Sequence, residues 1–148
     1  MSNRGMALLA GLIMALMPAA AVAQQGRLRV TLAPTAVAFP TPAMADFDAG
    51  WIEHPGITVT ITSRPGHADW ELRLHAPDPG LGVYGKPLSD LQWRVQGGAW
   101  QPLSQLDALV AQGVGDTDLV LEFRMRLDWE TDIPGSYGTG LTFSLTRP

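Results

Sequence analysis

Cysteine is absent from the chain. That excludes disulfides, thiolate metal sites and a lipid-modified N-terminal cysteine. Charge is also scarce, at 16% of residues, and the formal net charge is −4. Nucleic-acid binding rests on clustered Lys and Arg, as does electrostatic docking on anionic lipid, and a mildly acidic chain offers neither. A bilayer span takes about 20 apolar residues; the longest uninterrupted stretch, Ala7 to Met17, is shorter. The three histidines, His54, His67 and His75, follow no metal-ligand spacing, and no G-x-S-x-G nucleophile elbow occurs. No catalytic motif and no cofactor is therefore expected.

The N-terminus is built like an export signal. Arg4 supplies a positive start, Ala7 to Met17 an apolar centre, Pro18 a helix break, and Ala21-Val22-Ala23 the small residues of a cleavage site. The alternative is a retained anchor helix or a buried core helix. Cleavage after Ala23 leaves Gln24 as the mature start, in a protein destined for secretion, the periplasm or the cell surface, with no membrane span. The expected organisation is a signal peptide at 1–23 and one domain at 24–148, long enough for a single core. Loss of Arg4 moves the net charge to about −5.

Period-2 alternation dominates the remainder of the chain. Leu28, Val30 and Leu32 occupy alternate positions, as do Ile57, Val59 and Ile61. Trp70, Leu72 and Leu74 oppose Glu71, Arg73 and His75. Leu91 to Val95, the Gly97-Gly98 turn and the return through Trp100 to Leu103 suggest a hairpin. The clearest strand carries Leu119, Leu121, Phe123, Met125, Leu127 and Trp129 on one face, with Glu122, Arg124, Arg126, Asp128 and Glu130 on the other. Tyr137, Thr139, Leu141, Phe143 and Leu145 form the last apolar face. Pro34, Pro40 and Pro42 demote Thr35 to Phe39 to an edge strand at best, and Pro40 to Gly50 reads as irregular. Only Leu103 to Ala111 has helical spacing, through Leu106, Leu109 and Val110. About seven to nine strands, with turns every 8–12 residues, predict an all-β, Ig-like antiparallel sandwich.

Two stretches carry a family resemblance. Asp90 to Val95 with Gly97 to Leu103 resembles a strand–turn–strand of exported bacterial Ig-like proteins. Asp132-Ile133-Pro134-Gly135-Ser136-Tyr137, continuing into Thr139 to Thr146, resembles the P-G-x-Y turn and terminal strand of WxL-type surface domains and fimbrial or spore-coat-protein-U-like subunits. The WxL signature itself is absent. The resemblance implies a Greek-key sandwich with Trp93 buried. It gives structural roles to Pro134 and Gly135 in the turn, and to Tyr137 as a tyrosine-corner residue with its hydroxyl on nearby backbone. In an Ig domain one more strand comes after this one, whereas here the sequence reaches Pro148. Either Leu28 to Leu32 closes the sheet, or a partner donates a strand.

Candidate site residues are few. Asp128, Glu130 and Asp132, if on a strand, would project from one face as oxygen ligands for Ca2+; a solvated strand end is the alternative. Asp46 to Gly50 mimics the start of an EF-hand loop without its later positions. His67 and Asp69 are spaced to share a site, or sit side by side in a loop. Trp70, Trp93 and Trp129 lie on apolar strand phases and belong to the core, which leaves Trp51 and Trp100 as sugar-stacking platforms or partly buried packing residues. Glu122, Arg124, Arg126 and Asp128 are placed for cross-strand ion pairs with Glu71 and Arg73. The function expected is an exported, non-catalytic structural or adhesive subunit acting through protein contacts. Its expected partners are envelope or surface proteins, or further copies of itself. A carbohydrate-binding module is the alternative, and after it a hydrolase with carboxylates near Asp128 to Asp132.

Overall fold

The computed structural model describes residues 6–12, 28–64, 68–133, 135 and 137–148, and it is an antiparallel β-sandwich. In chain order the elements are β1 (Met6–Leu12), β2 (Leu28–Ala33), α1 (Met44–Ala49), β3 (Trp51–Ser63), β4 (Asp69–His75), β5 (Gly80–Leu81), β6 (Lys86–Pro87), β7 (Leu91–Val95), β8 (Gln101–Pro102), β9 (Ala108–Val114), β10 (Thr117–Arg126) and β11 (Thr139–Thr146). One sheet runs β1-β11-β4-β9, the other β2-β3-β10-β7-β8, and β5 pairs with β6 in a small ribbon.

The alternation in sequence becomes the core directly. Val59 and Ile61 of β3, Leu121, Phe123 and Met125 of β10, and Leu91 and Trp93 of β7 face inward from the five-stranded sheet. Trp70, Leu72 and Leu74 of β4 meet them with Leu141, Phe143 and Leu145 of β11. Each such side chain contributes about 1.5–3 kcal/mol on burial. Trp70 also donates its indole N–H to the Gly115 carbonyl at 2.8 Å, so its polar edge is satisfied inside the core.

Strand β3 begins six residues before the alternation announces it. Leu121 of β10 pairs with Ile57 and Phe123 with His54, so Pro55 and Gly56 together oppose Glu122 in a β-bulge. The extra residue switches the phase, and Ile52 and Ile57 both point inward despite their odd separation. Gly56 has φ +104°, and an added Cβ would lie 2.3 Å from the Leu121 carbonyl oxygen, so only glycine fits here.

Several expectations are corrected. The Pro40–Gly50 stretch contains a helix, α1, which buries Phe47 and ends at Gly50 with φ +76°. Thr35 to Phe39 forms no strand beyond a single bridge at Val37, although Val37 and Phe39 are buried. Leu103 to Ala111 is not helical. Leu103 is buried and its N–H donates to the Leu91 carbonyl at 2.8 Å, while Leu106 is 79% exposed and residues from Ala108 onward pair with β4. The helical spacing there had no face to cover. Trp129 lies outside the core because β10 ends at Arg126; it is 52% exposed, stacks on Phe47 at 4.7 Å and donates to Asp48. Leu28–Ala33 does not close the sheet beside the last strand: it pairs with β3 in the opposite sheet. Glu71 and Arg73 sit on β4, also in the opposite sheet from Glu122 and Arg124, and pair with each other.

Of the expected signal peptide, residues 6–12 form the strand β1. The cleavage site at Ala23 lies outside the described residues, and so does the Pro134 turn position.

Candidate functional site

Strand β11 reads Thr-Gly-Leu-Thr-Phe-Ser-Leu-Thr, with no charge and no proline. Its core face is fixed by Leu141, Phe143 and Leu145, and one backbone edge pairs with β4. The other edge pairs with β1 through seven antiparallel positions, from Met6 opposite Leu145 to Leu12 opposite Thr139. Edge strands are ordinarily blunted by charge, proline or short length. The five-stranded sheet obeys this: β8 has two residues and includes Pro102, and β2 carries Arg29 and runs into Pro34. The four-stranded sheet does not. Strand β9 also lacks charge and proline, and exposes Leu109 and Val114.

At the mouth of β11 lies a second feature that sequence reasoning missed. Lys86 is the only lysine in the chain, and its side chain is 2% exposed. Strand β6 turns it inward, and the next turn brings Asp90 to 2.9 Å from Nζ. The segment after β10 brings Asp132, itself 6% exposed, whose two carboxylate oxygens lie 2.7 and 2.6 Å from Nζ. The Asp128 N–H donates to Asp132 Oδ2 at 2.8 Å, and the Tyr137 ring covers the ammonium at 5.6 Å. A lysine is almost never buried unless paired, and this one has two carboxylates. A cleft of about 340 Å3 opens beside the group, between Tyr84, Arg126, Asp128 and Thr131. The only sequence signal was the acidic run itself, because Lys86 lies in a Gly-Pro loop with no periodicity.

The Tyr137 ring is buried, and its hydroxyl donates to the Ile133 carbonyl and accepts from the Ile133 N–H at 2.9 Å. Burial pushes its pKa above the ordinary phenol value; the nearby Asp132 charge adds to this, and the Ile133 hydrogen bond opposes it. Gly135 packs close to the Tyr84 ring. Trp93 is buried, and its indole nitrogen has no partner among the described residues.

Asp128, Glu130 and Asp132 occupy a turn, not a strand, and their carboxylates are not brought together. Asp128 Oδ1 accepts the Glu130 N–H, Glu130 is exposed, and Asp132 faces Lys86. Among the described residues no three acids or histidines group as metal ligands. Asp46 accepts the Ala43 N–H at the start of α1, and His67 lies outside the described residues.

Trp51 and Trp100 do come together, through an arginine. The Arg124 guanidinium lies 4.0 Å from the Trp51 ring centre and 4.5 Å from that of Trp100, with Arg94 at 4.3 Å from Trp100. Arg94 pairs with Glu122 and Arg124 with Gln92 along the β10–β7 register. Both indoles are half-buried and pack on guanidinium planes. No described helix is long and apolar enough to cross a membrane. No protein-family model, curated protein or solved structure matches the chain.

Proposed function

We propose that the chain is an exported, non-catalytic subunit of the bacterial envelope or cell surface that works through protein contacts, with the β11 edge as the contact. One observation carries this reading: the uncharged strand β11 lies inside its sheet only because a segment with the composition of an export signal pairs with it along seven residues. Export would remove that segment. The edge would then present unpaired N–H and C=O groups beside an apolar face, the arrangement that takes up an extended strand from another chain. The partner strand has the chemistry of the segment it replaces: extended, antiparallel to β11, uncharged and largely apolar. The four residues from Gln24 to Arg27 are too few to span the seven β11 positions before β2 begins, so the donor belongs to another chain.

The test is export of the full chain from a bacterial host, with N-terminal sequencing and sedimentation of the product. The expected product begins at Gln24 and either assembles or binds a synthetic peptide of Met6 to Leu12, with the β11 amides gaining protection from hydrogen exchange. A mature protein that stays monomeric at high concentration, ignores the peptide and already protects its β11 amides refutes the reading.

A further inference from the structure

The geometry points to an intramolecular amide bond between Lys86 Nζ and Asp132 Cγ, formed by the protein itself with Asp90 as proton shuttle. This goes beyond the strand-accepting reading and does not depend on it.

The reactants are already in contact. Asp132 holds Nζ at 2.6 and 2.7 Å from its two oxygens, with both side chains almost wholly out of solvent. Such placement converts a bimolecular condensation into a unimolecular one, with effective molarities of about 10^5–10^8 M for well-oriented groups. Water, which drives amides back to acid and amine, is largely kept from the pair by burial and by the Tyr137 ring.

Within the ion pair the ammonium gives one proton to Asp132, leaving a neutral amine and a neutral acid. The nitrogen lone pair attacks Cγ, and the C–N bond forms. The Asp128 N–H, 2.8 Å from Oδ2, stabilises charge building on that oxygen. Asp90, 2.9 Å from Nζ, takes the proton that the nitrogen must shed and returns it to the Oδ1 hydroxyl. The C–O bond breaks and water departs through the adjoining cleft. Ammonium plus carboxylate becomes amide plus one water, and Asp90 ends unchanged.

The bond would join the β5–β6 ribbon to the segment that enters β11, across 46 residues of sequence. A cross-link of that span removes much of the freedom of the unfolded chain. An exported protein without cysteine has no disulfide to do this.

The test uses the full chain and tryptic mapping under denaturing conditions. Lys86-Pro87 and Arg147-Pro148 resist trypsin, so the relevant fragments are Leu74–Arg94 and Leu127–Pro148. The expected result is a single joined species about 18 Da lighter than the two fragments together, the mass of one water. With the only lysine consumed, the denatured protein takes up one amine-reactive label, at its N-terminus, in place of two. Lys86→Arg keeps the charge without the nucleophile and releases the fragments separately. Asp90→Asn leaves most of the protein unjoined. Two separate wild-type fragments of full mass overturn the proposal; a joined pair in Lys86→Arg overturns the assignment to Lys86, and complete joining in Asp90→Asn overturns the shuttle. Neither fragment includes the N-terminal segment, so the result is independent of whether that segment is removed.

Discussion

Replacing Gly56 by alanine tests whether the bulge is what lets β3 run the full length of the sheet. Two costs are separable. The first is backbone strain, because φ +104° disfavours any side chain; it is worth about 1–2 kcal/mol. The second is the collision with β10: the new methyl would sit 2.3 Å from Leu121 O and 2.9 Å from its carbonyl carbon. Backbone cannot swing aside as a flexible side chain does, so β3 must back away, weakening the flanking ladder bonds at about 1 kcal/mol each. Two such bonds bring the total to roughly 3–4 kcal/mol, a large share of a typical stability of about 5–15 kcal/mol. Gly97→Ala is the internal control, since it has φ +81° but no heavy atom within 4 Å of the new Cβ, and so carries strain alone. Urea unfolding of both variants, monitored by tryptophan fluorescence, should place Gly56→Ala about 2 kcal/mol below Gly97→Ala. Equal midpoints would refute the bulge argument.

Tyr137→Phe keeps the buried ring and removes both hydrogen bonds to Ile133, so a loss of about 1–2 kcal/mol is expected in the same assay, and no change would mean the corner does not hold the turn. His54 supplies a pH dependence: burial lowers its pKa from 6.5, and its Nδ1 accepts the Gly56 N–H at 2.9 Å. The unfolded chain then binds more protons than the folded one as pH falls below 6.5, so this contribution is complete above that pH and is lost as acid drives the folded ring to protonate. The urea midpoint should be lower at about pH 5.5 than at about pH 7.5. A His54→Gln variant should lose this component of the slope, and an unchanged slope would exclude His54 as its source.

Strand identity was legible wherever one face was greasy and the phase unbroken. The side chains of Leu28–Leu32, Trp70–Leu74 and Leu121–Leu127 face the core as the alternation implied, because period 2 comes from the pleat and needs no tertiary information. The first half of β3 was hidden because the bulge at Pro55-Gly56 reverses that period. The same rule misplaced Trp129: the pairing continues only to Leu127, whose N–H donates to the Gly50 carbonyl, and alternation read beyond it has no pleat left to track.

The sequence alone settled the all-β class and the exclusion of disulfides, since the first depends on local geometry and the second on composition. Only the tertiary structure decided which strands are neighbours, that β2 pairs with β3 while the β11 edge takes up Met6–Leu12, and that the single lysine lies between Asp90 and Asp132. Those pairings join residues far apart in the chain. Their partners are selected by packing of the whole core, which no local pattern encodes.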